Sequence, residues 1–123
     1  MILAPLAGIA LVVAVSTGQA LDAEPARLSP AQRTAAVQPL INTATECIAR
    51  AVAADPRYGT EPEKLGDIIV DSVPSCVGPV RAMIDTYDRY FGEGSGEAFF
   101  MGPYLDVLPR AVAKRATDLR ASQ

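Results

Sequence analysis

Histidine is absent from this chain of 123 residues, tryptophan is absent too, and cysteine occurs twice. Without imidazole there is no histidine-built zinc site, no haem attached through Cys-X-X-Cys-His, and no nucleophile activated by a Ser-His or Cys-His pair. Basic clusters are also missing. Eleven Lys and Arg stand against fourteen Asp and Glu, the net charge is -3, and the basic residues form no run or stripe. A phosphate backbone requires such a stripe, so nucleic acid is not an expected partner.

The carboxylates that remain offer little acid-base chemistry. Asp85 and Asp88 share a helical face with Arg81 and Arg89 beside them, which reads as a solvated charged face, because paired-carboxylate catalysis needs a long cleft. Gly92-Glu93-Gly94-Ser95-Gly96 lacks the preceding strand and the lysine of a phosphate loop, and the glycine two positions before the serine of a nucleophile elbow. Glu93 and Glu97 are too few to hold calcium. The expectation is a protein that is not an enzyme, with no catalytic residue, no metal and no cofactor.

What is present begins with an export segment. Met1 to Leu21 carries no charged side chain, and Gly18 and Ala20 stand at the small-residue positions of a cleavage site after Ala20. Residues 1–20 are therefore expected to be a signal peptide, with a retained N-terminal anchor as the alternative. A membrane would be a partner only in that second case. Either reading places the protein in the periplasm or outside the cell. Residues 21–28, polar and containing Pro25, read as a disordered lead-in, and 29–123 as a single helical domain.

Within that domain the pattern is all-α. Ser29-Pro30-Ala31-Gln32 combines a capping serine, proline at the first helical position and glutamine to complete a capping box. Val37, Leu40/Ile41, Ala44, Cys47/Ile48 and Ala51/Val52 follow as one buried stripe, interrupted by Pro39, where a kink or break is expected. Thr60-Glu61-Pro62-Glu63 signals a second helix start, and Val77, Val80, Met83/Ile84, Tyr87 and Tyr90/Phe91 mark a third stripe ending at Gly92. A last helix is expected to begin near Gly102-Pro103 or Asp106. The sum is a small bundle of three to four helices, the first kinked at a proline.

Cys47 falls on the first stripe and Cys76 at the start of the third. Two cysteines in a small exported domain pair, so one disulfide, Cys47 to Cys76, is expected to tie the bundle. Closing a loop of that size stabilises by roughly 3–4 kcal/mol in the chain-entropy description.

Six of the seven aromatic residues lie between Tyr87 and Tyr104. Glycines divide them into Tyr87/Tyr90/Phe91 and Phe99/Phe100/Tyr104, which a turn can fold onto each other as a clasp. Phe99-Phe100-Met101 puts three large apolar residues in succession, more than one helical stripe can bury. Tyr87, Tyr90, Phe91, Phe99, Phe100, Met101 and Tyr104 are thus the candidate residues for contacting a partner protein. Two other roles fit the same composition: an acid- or stress-responsive periplasmic chaperone, and a carrier of a small apolar ligand.

Overall fold

The computed structural model describes residues 27–122; the expected export signal and most of the lead-in lie outside the described residues. All regular structure among them is helical. The first helix, α1 (Pro30–Ala54), opens with the capping box, Ser29 Oγ accepting from the Gln32 amide at 3.2 Å and Gln32 Oε1 from the Ser29 amide at 2.8 Å. It passes through Pro39 as one element. The amide that Pro39 lacks would have met the Ala35 carbonyl, and both residues are exposed, so water can complete the helix there.

Asp55 ends α1, and two 3-10 turns, Pro56–Gly59 and Pro62–Lys64, lead to α2 (Leu65–Ser72). Thr60 is not the cap of that helix. Its hydroxyl donates back to the Pro56 carbonyl at 3.3 Å, and the prolines hold the chain in tight turns until Leu65. Pro74 then prevents a regular continuation. The Val70 carbonyl that it leaves without an i+4 donor accepts from the Val73 amide instead, a 3-10 turn (Val73–Cys76) follows, and α3 (Val77–Phe91) starts after it.

Beyond the Gly92 corner the chain is helical without interruption: α4 (Ser95–Phe99), a π-helical turn (Phe100–Tyr104) and α5 (Leu105–Ala121). The last helix thus begins at Ser95, before Gly102-Pro103. Pro103 sits inside it, because a helix that cannot bond the Phe99 carbonyl from residue 103 can widen by one residue. The Leu105 amide accordingly donates to the Phe100 carbonyl, five positions back.

Central to the bundle is α1, packed against α3 and α5, with α2 beside them. Ala44, Ile48 and Val52 of α1 face Val80 and Met83 of α3 and Leu108, Val112 and Ala116 of α5, spaced four apart, with Ile68 and Ile69 of α2 completing the core. Each fully buried Val, Leu, Ile or Met side chain contributes about 1.5–3 kcal/mol over the exposed state. Cys47 and Cys76 are bonded, their Cα atoms 5.9 Å apart, which fastens the middle of α1 to the start of α3. The seventh ring, Tyr58, anchors the first turn to α5: its hydroxyl lies 3.1 Å from the Ala113 carbonyl and 2.8 Å from Thr117 Oγ1. No helix among the described residues is long and apolar enough to cross a membrane.

Candidate binding site

The corner that follows α3 is tied at each step. Gly92 and Gly94 take positive φ values of 109° and 86°, conformations that side chains with a Cβ rarely adopt. The Gly92 amide donates to the Asp88 carbonyl at 2.8 Å, and Ser95 reaches back to the Gly92 carbonyl through both its amide and its hydroxyl. Asp88 Oδ1 accepts from the Gly96 amide at 2.7 Å, so one member of the supposed solvated face fastens α4 to α3. At Gly96 the helices meet so closely that an added Cβ would fall on the Ile84 carbonyl. A built corner stands where the sequence alone suggests a loose turn.

This corner folds the two halves of the aromatic segment together. Tyr87 stacks on Phe99 with centroids 4.4 Å apart and planes 7° from parallel, and on Phe91 at 4.5 Å. The widened turn extends the cluster, since positions five apart come onto one side of a π turn. Phe99 therefore meets Tyr104 at 5.8 Å, and Phe100 packs against the same ring at 5.7 Å. Tyr90 remains outside the stack, with the Arg89 guanidinium 5.9 Å above its ring.

Exposure separates the members. Tyr104 is only 2% exposed, whereas Tyr87, Tyr90, Phe91, Phe99 and Phe100 are half-buried, and Met101 is 63% exposed. The Tyr104 hydroxyl bonds Thr45 Oγ1 at 3.0 Å, and Thr45 Oγ1 also contacts the Ile41 carbonyl at 2.7 Å. Because the carbonyl only accepts, Thr45 spends its proton there and the phenol is the donor of the pair. Burial raises the Tyr104 phenol pKa, and the Arg115 charge opposes that rise.

Two grooves flank Phe99 and Pro103. One, of about 340 Å³, is bounded by Tyr87, Phe91, Ser95 and Ala98; the other, of about 350 Å³, runs between α1 and the last helix past Ile41, Tyr104 and Val107. A larger concavity of about 690 Å³ lies over the disulfide, lined by polar Asn42 and Thr43, the Glu46–Arg50 ion pair and Arg115. The aromatic grooves hold the apolar surface that a ligand could cover.

Sequence reasoning identified the rings and missed what faces them. Ile41, Thr45 and Arg115 are far from Tyr87–Tyr104 in the chain, and only packing brings them near. One signal was available: Phe99, Pro103, Val107, Ala111 and Arg115 recur every four residues, as one row of a helix does. Among the described residues no three potential metal ligands gather. The chain matches no protein-family model, no curated protein and no solved structure.

Proposed function

We propose that this is a non-catalytic binding protein, working outside the cytoplasm, whose Tyr87–Tyr104 segment contacts a partner protein. One observation carries the reading: the ring cluster is only partly covered, and Met101 and Val107, 63% and 61% exposed, stand on the same helix beside it. Large apolar side chains kept at the surface next to stacked rings have the composition of a protein interface. The Cys47–Cys76 bond supports the compartment, since such bonds persist where the surroundings are oxidising.

The experiment uses two equally exposed positions. A photo-cross-linking residue replaces Met101 in one protein and Val70, 69% exposed on α2, in another. In the cell that makes the protein, the first should trap a protein adduct that the second does not, and Met101→Lys should lose that partner. Identical adducts from both positions would retire the reading.

The groove between α1 and the last helix favours a second reading, a carrier of a small apolar ligand. Its volume of about 350 Å³ falls at the lower end of small-molecule sites, roughly 300–1,000 Å³.

A further inference from the structure

The two hydroxyls at that second groove are committed to their neighbours. Thr45 gives its proton to Ile41 and Tyr104 gives its own to Thr45, so neither hydroxyl has a hydrogen left for a ligand. Gln38 Nε2 donates to Asn42 Oδ1 at 3.0 Å. Arg115 differs. Among the described residues it is the one charged side chain lining the groove, and the bond found for its guanidinium is a long one, 3.4 Å from Nη1 to the Asn42 carbonyl. No carboxylate lies within 4.0 Å of it among the described residues; the nearby Glu46 is paired with Arg50 at 3.5 Å. A guanidinium carries five N–H donors in a planar fork, so most of this fork is open to an anion.

Placement matters as much as charge. Pro103, Val107, Ala111 and Arg115 form a single row, so the cation stands at the end of an apolar track, about 18 Å along the helix from Pro103 at 1.5 Å per residue. A peptide lying in this track would bring amides and carbonyls that need partners, and the side chains of Pro103, Val107 and Ala111 offer none. An alkyl chain needs none.

We propose that this groove binds a single-chain fatty acid, with its alkyl chain along Pro103, Val107 and Ala111 opposite Ile41 and its carboxylate on Arg115. The proposal rests on the apolar-carrier reading and names its ligand. The field of Arg115 already reaches the groove floor, where it opposes the rise in the Tyr104 pKa. Electrostatic complementarity would then select the anion, while burial of the chain supplies the affinity.

The full chain is titrated with dodecanoate, dodecanol and dodecyltrimethylammonium, each below its aggregation limit, by calorimetry and by displacement of a fluorescent probe. Dodecanoate should bind in equimolar amount, with dodecanol weaker by about tenfold or more and the ammonium weaker still. Arg115→Gln should reduce dodecanoate to the level of dodecanol without changing dodecanol itself, and Arg115→Lys should keep part of the preference. Equal binding of dodecanoate and dodecanol by the unaltered chain overturns the fatty-acid proposal and leaves the carrier reading standing. Failure of all three ligands to bind overturns both. A preference for dodecanoate that survives in Arg115→Gln also overturns the assignment. The comparison of ligands on the unaltered chain remains decisive even if a variant folds poorly.

Discussion

Around the Cys47–Cys76 bridge the core is filled by small and branched aliphatic side chains. Ala44, Ile48, Ile68 and Val80 are at most 6% exposed. At the Gly92 corner the filling is aromatic, and of six rings only that of Tyr104 is fully covered. Each region uses a different fastening. The first is tied by a covalent bond between distant helices, and the second by a hairpin of glycines, an aspartate cap and ring stacking. A fold that only needed stability could have continued its aliphatic packing to the corner. Instead, the rings there leave apolar surface partly covered, and the proposed contact rests on that surface.

Cutting the covalent tie should have the largest effect. Cys47→Ala with Cys76→Ala, or reduction of the bond, is expected to cost about 3–4 kcal/mol and lower the urea midpoint accordingly. A midpoint indifferent to reductant would mean that the aliphatic packing suffices alone. The corner offers the next largest effect. Gly96→Ala sets a Cβ against the Ile84 carbonyl and within 2.9 Å of Asp88 Oδ1, and overpacking of this kind costs about 1–3 kcal/mol. Gly66, in α2 with nothing within 4 Å, is the control. Gly66→Ala should stabilise by about 0.5–1 kcal/mol through helix propensity, so the two alanines should move the melting temperature in opposite directions. Smaller again is Tyr104→Phe. It removes the donor to Thr45 and keeps the ring, an expected loss of about 1 kcal/mol by denaturant titration.

The aliphatic region was the more legible of the two in the sequence, for a physical reason. The Ser29 box, the α1 stripe, the stop at Gly92 and the pairing of Cys47 with Cys76 follow from spacing, capping and chain connectivity. In the aromatic region the sequence indicates that rings converge, because glycine breaks the helix between them. It does not indicate how. Pro103 has the appearance of a helix start, yet tertiary packing holds it within a helix that widens by one residue to accept it. Asp88 reads as surface charge because its partner, the Gly96 amide, is revealed only when the corner closes. Arg115 falls on the four-residue row that starts at Phe99, whereas Thr45 belongs to the groove through packing of α1 on the last helix that no local pattern encodes.

The smallest expected effects come from pH, which should reach different parts of the molecule in acid and in alkali. Asp55, at the end of α1, accepts side-chain bonds from Arg57 at 2.8 and 3.0 Å and a backbone bond at 2.9 Å, which hold its pKa at about 2 instead of 3.8. The unfolded chain therefore takes up this proton first. The stabilisation is complete above the ordinary carboxylate value and disappears as pH falls towards about 2. Because the pair is open to solvent, salt should weaken it further. Tyr104 has the opposite sign. Burial raises its pKa above the ordinary 10.0, so the folded state resists ionisation, and stability holds below that pH and declines as pH climbs beyond it. Urea midpoints measured across pH should show Asp55→Asn flattening the acid limb alone, and Tyr104→Phe reducing the alkaline decline alone. If either substitution altered both limbs, the turn after α1 and the aromatic corner would be one cooperative electrostatic unit, and the separation drawn between the two regions would fail.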